Sequence, residues 1–168
     1  PKEAVIIGAG FIGLEMAENL SRLGIRITMV EAMPQVLSVI DPDMAEIIQQ
    51  EILRNKVSLQ LGVGASEFRD SKGRVSVKLS SGAELTADMA ILSIGVVPES
   101  NLAEEAGLEL GIKKSIAVNE FMQTSDPDIY AVGDAVQVKH RVTGLNAVIP
   151  MAGPAIKQGR IAADNLAF

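Results

Sequence analysis

An α/β fold built on a parallel sheet is predicted by three features of the sequence. Apolar runs at residues 4–7, 25–30 and 57–61 alternate with stretches of helical periodicity, the pattern of strands joined by crossover helices. The core must be aliphatic, because 48% of the 168 residues are hydrophobic and only 3% aromatic, a balance suited to strands buried on both faces. The first apolar run passes directly into a glycine-rich turn, Gly8-Ala9-Gly10-Phe11-Ile12-Gly13, that opens a helix.

Taken in order, residues 4–7 form a buried strand that stops at Gly8. Over residues 11–23 the apolar positions Ile12, Met16, Leu20 and Leu23 recur at helical spacing, and Gly24 stands where a helix-ending glycine belongs. Residues 25–30 are a second strand, closed by Glu31. Asp41-Pro42 starts a second helix, with Asp41 as N-cap and Pro42 in the first turn, running to about Arg54. Residues 57–61 are the third strand and complete a right-handed βαβαβ unit. The pattern then changes. Short alternating runs at 66–68, 74–79 and 83–86, with turn signals at Ser71-Lys72-Gly73 and Ser80-Ser81-Gly82, predict an antiparallel β-meander in place of the next crossover helix. Residues 87–94 return to the parallel sheet. Beyond Pro98 a short helix (101–106), strands at 115–118, 129–132 and 137–139, and a largely helical stretch at 150–166 follow, with a domain boundary expected near 107–114.

Composition excludes several functional classes. With 15 basic against 21 acidic residues the net charge is −6, which would repel a phosphate backbone, so nucleic acid is not expected as a partner. The absence of cysteine excludes a disulfide framework, a thiolate metal site and a thiol nucleophile within these residues. No metal site is expected, and no apolar run approaches the ~18 residues of a membrane span. The sequence enters a strand at once, without an initiator methionine or a leader, and is read as an internal piece of a longer chain.

The glycine turn has a specific physical reading. Gly8 permits the tight turn, Gly10 lets the backbone approach a pyrophosphate, and Gly13 lets helix and strand pack closely. The anion would rest on unpaired N–H groups at the positive end of the helix. Glu31 follows at the spacing of an acid that binds the adenosine ribose hydroxyls. These features point to a Rossmann-like dinucleotide site. A carboxylate there disfavours an added ribose phosphate by about 4 kcal/mol, for charges roughly 4 Å apart at an effective dielectric near 20. Ala32-Met33-Pro34 offers no arginine in compensation, so NADH is expected over NADPH.

Two further motifs lie downstream: Ile94-Gly95-Val96-Val97-Pro98, and Thr124-Ser125-Asp126-Pro127-Asp128-Ile129-Tyr130-Ala131-Val132-Gly133-Asp134-Ala135. In the second, a turn leads into a buried strand, and Gly133 makes a sharp exit that holds the Asp134 carboxylate at the strand's C-terminal edge. A carboxylate there can accept hydrogen bonds from a polyol. Together with the glycine turn, Glu31 and the stretch from Pro150 to Asn165, these motifs resemble the pyridine nucleotide-disulfide oxidoreductase family, in particular its NADH oxidase, NADH peroxidase and coenzyme A-disulfide reductase branch.

The resemblance implies an NAD(H)-binding domain at residues 1–110 and the C-terminal half of an FAD-binding α/β domain at 111–168. It implies that Asp134, presented by Gly133, bonds the ribityl chain of FAD. Met151, Ala152 and Gly153 would lie beside the flavin ring, with the helix through Gln158, Gly159 and Arg160 behind them. Gly95 would border bound NADH, Glu15 would contact the nicotinamide amide, and Phe11 would cover the flavin face where relatives often carry tyrosine. The resemblance also implies hydride transfer from NADH through flavin to a small-molecule disulfide, peroxide or oxygen, in a homodimeric cytoplasmic parent. The redox cysteine and the first FAD glycine motif would lie elsewhere in that parent. The segment alone is expected to bind NADH weakly, to bind FAD poorly through want of the rest of its FAD domain, and to turn nothing over.

Two other readings compete. A free-standing NAD-dependent dehydrogenase would need its own acid or base, yet the Tyr-x-x-x-Lys pair is absent and His140, the lone histidine, reads as a loop residue before a Thr143-Gly144 turn. A non-catalytic NAD-binding regulatory module would leave the 124–135 segment without a purpose.

Overall fold

The computed structural model describes residues 1–167, which pack as two compact units, the first Pro1–Gly95 and the second from Val96 onward. In the first unit the elements are β1 (Glu3–Ile7), α1 (Phe11–Arg22), β2 (Arg26–Glu31), α2 (Pro42–Arg54), β3 (Ser58–Leu61), β4 (Ala65–Ser71), β5 (Arg74–Leu79), β6 (Glu84–Ala87) and β7 (Met89–Leu92). The parallel sheet runs in the order β3-β2-β1-β7, and β4-β5-β6 form the antiparallel meander.

The side-chain alternation of β1 explains the layering. Ala4 and Ile6 face a cluster containing Ala17 of α1 and Ala45 of α2. Val5 and Ile7 face a cluster containing Val77, Leu79 and Ala87 of the meander. The sheet is thus covered by helices on one face and by the meander on the other, which is why its central strand is apolar throughout. Ile6 and Met29 are fully enclosed, each stabilising the fold by about 1.5–3 kcal/mol relative to exposure.

Local chemistry sets the connections. Gly24, at φ +78°, ends α1, with its N–H on Ser21 O. Pro42 starts α2 as expected. Asp41 holds the N-cap position, but its carboxylate makes no capping bond; Asp43 Oδ1 takes the Met44 N–H instead (3.0 Å). The β4–β5 hairpin turns on Lys72 and Gly73, both with positive φ, the conformation that matches strand twist in a two-residue loop. The expected strand at 87–94 divides. Ala87 ends β6, Asp88 turns the chain, and β7 ends at Leu92. Asp88 makes that division stable: Oδ2 accepts the N–H groups of Lys2 (2.5 Å) and Glu3 (3.1 Å), and Oδ1 accepts Arg74 Nε (3.1 Å). Arg74 also pairs with Glu3, which in turn binds Arg26 at 2.6 Å. Hydrogen bonds from Arg26 and Arg74 hold the Glu3 carboxyl below its ordinary value, and the Lys2 and Glu3 amides do the same for Asp88.

The second unit contains α3 (Asn101–Glu105), β8 (Ile116–Ala117), β9 (Val136–Lys139), β10 (Asn146–Ala147) and α4 (Ala152–Ala167). Its small sheet runs β10-β9-β8, with β8 and β9 parallel and β9 and β10 antiparallel. The first compact unit closes at Gly95, and α3 is strapped to the residues that follow it. Ser100 Oγ donates to Lys114 O (2.5 Å), Leu108 N–H to Ala103 O (3.0 Å), and Lys114 Nζ reaches both Glu104 oxygens (3.1 and 3.2 Å). The expected buried strand at 129–132 is not one. Tyr130 makes a single bridge to Gln123, Ala131 N–H bonds Met122 O, and Ile129 and Val132 are 38% and 41% exposed. One edge of the segment is paired with the preceding turn, and the other has no ladder partner among the described residues. Strand β10 was not expected; Asn146 and Ala147 pair with Lys139 and Val138 once the chain has turned through 140–145. Among the described residues no helix is long and apolar enough to cross a membrane.

Candidate functional site

The glycine turn lies where the sheet order changes direction. The chain passes from β1 to β2 and β3 on one side, then returns to β7 on the other. Open α/β sheets bind ligands at such a change in strand order, beyond the carboxyl ends of the strands, here β1 and β7. The three glycines occupy three distinct environments. Gly8, at φ +101°, passes so close to Ser93 that a Cβ would overlap its carbonyl. A Cβ on Gly13 would overlap Gly8 O and come within 2.8 Å of Ser93 Oγ. Gly10 has nothing within 4 Å of where a Cβ would be. Gly8 and Gly13 therefore close the strand–helix junction, and Gly10 leaves its outer side open.

The first intrahelical bond of α1 is from Leu14 N–H to Gly10 O (3.0 Å), so the N–H groups of Phe11, Ile12 and Gly13 head the helix without intrahelical acceptors. Glu31 closes the turn from the side: Oε2 accepts the Ala9 N–H (2.7 Å) and Oε1 the Met33 N–H (2.9 Å). An ionised carboxylate has about four acceptor positions, so two remain for hydroxyl donors. Phe11 and Ile12 are 56% and 50% exposed at the head of α1. Glu15 is exposed on the next turn, and its carboxylate has no partner among the described residues. Gly95, at φ +110°, lies beyond β7 with open space on its Cβ side. Ser93 was missed in the sequence. Its hydroxyl lies near both Ile7 O (2.9 Å) and Gly8 O (3.0 Å), tying the end of β7 to the start of the glycine turn. A lone serine at the end of an apolar run carries no signal of that role.

The second unit holds the other expected residues. Gly133, at φ +86°, begins a 3-10 turn, Gly133–Ala135, against which α4 packs. Asp134 is exposed there, and its carboxylate has no hydrogen-bond partner among the described residues. Met151, Ala152 and Gly153 are exposed at the head of α4, whose first bond runs from Ala155 N–H to Met151 O (3.1 Å). Gln158, expected only as part of the helix behind the site, is buried, and its Oε1 accepts the Gly133 N–H at 2.7 Å. His140 closes the β9–β10 turn, with Nδ1 accepting the Thr143 N–H (3.2 Å). That is a turn-forming role, in keeping with a loop histidine.

The family model described as pyridine nucleotide-disulphide oxidoreductase matches residues 1–159. The chain belongs to this family. Within the pyridine nucleotide-disulphide oxidoreductases it is 41% identical over 167 residues to the NADH oxidase of Methanocaldococcus jannaschii, covering 99% of this chain and 37% of that protein. The reduced CoADR-RHD structure from Bacillus anthracis superposes with a TM-score of 0.94 at 46% identity, covering 99% of this chain and 29% of that one. The water-forming NADH oxidase from Lactobacillus brevis, bound to NADH, superposes with a TM-score of 0.91 at 34% identity, covering 98% and 36%. The chain thus spans well under half the length of these members of the family.

Proposed function

We propose that this chain is the NADH-binding part, residues 1–110, and one half of the FAD-binding part, residues 111–168, of a flavoprotein that passes hydride from NADH through flavin to a disulfide, peroxide or oxygen. The observation that carries the reading is the glycine turn, where an open Gly10 adjoins three helix-heading N–H groups at the change in strand order. A pyrophosphate fits that arrangement as an anion at a helix N-terminus. Glu31 would take the adenosine ribose, and its charge favours NADH over NADPH. The bound Lactobacillus brevis relative supports this assignment of the dinucleotide.

FAD fits the second unit through Asp134, whose unpartnered carboxylate can accept from ribityl hydroxyls. Met151, Ala152 and Gly153 would then border the flavin. Flavin, when bound, supplies the hydride-accepting chemistry, and this chain binds and orients the donor. Phe11 would stack on the ring as a cover that nicotinamide displaces, Gly95 would border the nicotinamide, and Glu15 would hold its amide. The rest of the FAD domain, the redox cysteine and a second subunit would come from the parent protein, so these residues alone would turn nothing over. Calorimetric titration of the chain with NADH, NADPH and FAD tests the reading. NADH should bind more tightly than NADPH, and FAD only poorly. Absence of NADH binding at millimolar concentration would overturn the roles of Gly10 and Glu31.

A further inference from the structure

We infer that Gln158 is a positioning residue for the Gly133–Asp134 turn, its side-chain amide fixing the backbone that presents the Asp134 carboxylate. That the carboxylate meets the ribityl chain of FAD rests on the function proposed above; the anchoring of Gly133 does not.

Burial is the first support. Along α4 only Gln158 and Ala162 are buried, one turn apart on the inward face of the helix. Such a position ordinarily holds an apolar side chain, and Gln158 is only 7% exposed. A buried amide is tolerated when it has a specific partner. Here the partner is the Gly133 N–H, 2.7 Å from Oε1, and no backbone acceptor takes that N–H.

The second support is what the bond fixes. Gly133 stands at φ +86°, a conformation that L side chains rarely adopt, with open space where a Cβ would lie. The neighbouring Asp134 carboxylate has no partner among the described residues, so the backbone alone sets its place. Among the described residues, the Gln158 amide makes the side-chain hydrogen bond that ties α4, which packs against this turn, to the backbone carrying the carboxylate. Leucine would fill a similar volume without offering an acceptor, whereas glutamate keeps one.

The test uses the full-length protein. Hydrogen exchange of the Gly133 amide, followed by mass spectrometry on the FAD-stripped protein, should show protection in the wild type. Exchange should quicken at least tenfold in Gln158→Leu and recover in Gln158→Glu. An unprotected Gly133 in the wild type overturns the anchor, whatever the variants do. FAD dissociation constants complete the cycle. Gln158→Leu should weaken FAD about tenfold alone and have no further effect in an Asp134→Ala background, because both changes act through one carboxylate. A second tenfold loss in that background means general loosening of the helix and overturns the positioning role. If Asp134→Ala alone leaves FAD affinity unchanged, the cofactor reading of this turn fails, and the exchange data still judge the anchor separately.

Discussion

At the scale of single residues, the three motif glycines separate by what surrounds them. Gly13→Ala would force apart the Gly8 carbonyl and Ser93, so a loss of about 1–3 kcal/mol is expected in chemical denaturation. Gly10→Ala meets nothing, so the unfolding midpoint should hold while NADH affinity falls at least tenfold. Equal stability losses in the two variants would contradict the division between closing and open glycines. Ser93→Ala removes the hydroxyl contact to Ile7 O and Gly8 O, and should lower stability by about 1 kcal/mol, measurable as a shifted urea midpoint at unchanged slope. The closing glycines were legible because a strand that hands over to a helix this tightly demands residues without a Cβ. Ser93 and Gln158 were not, since each acts through one contact with a residue distant in sequence, and nothing in the local pattern marks it.

At the scale of elements, regular periodicity was readable and pairing was not. Strands β1 and β2 and helices α1 and α2 lie within a residue or so of their expected places, because burial on one or two faces imposes an apolar repeat. The 129–132 segment has the same apolar composition, yet it lacks a ladder because strand character depends on partners that its own residues do not encode. The 87–94 run divided for a related reason: Asp88 is held by the distant Lys2 and Glu3 amides. That junction also makes a pH prediction. Glu3 and Asp88 have folded-state pKa values below their ordinary 4.5 and 3.8, so their stabilisation is present above those values and is lost as pH falls through them. The thermal midpoint should drop below about pH 4.5, and Arg74→Leu should make that dependence shallower. An unchanged slope in the variant would show that the Arg74 pairs contribute nothing to that dependence.

At the scale of the whole molecule, both large apolar clusters are complete by Ile91, within the first unit. Residues 1–95 should therefore unfold cooperatively as an isolated domain and retain NADH affinity within about threefold of the full 168 residues. Loss of a cooperative transition would show that the later residues are needed for that core. The second unit buries few large apolar side chains, with Val136 and Met122 the chief ones, and exposes Val142, Leu145 and Phe121. Residues 96–168 alone are expected to give a broad, weakly cooperative transition.

The two backbone bonds made by Glu31 bear on any attempt to redesign coenzyme choice. Removing the acid to admit a phosphorylated ribose would also release the amides of Ala9 and Met33, so the side chain proposed to discriminate doubles as a clasp on its own loop. A switch of preference made there by charge alone would slacken the grip on both coenzymes, and a successful one must return an acceptor to those two amides from another quarter.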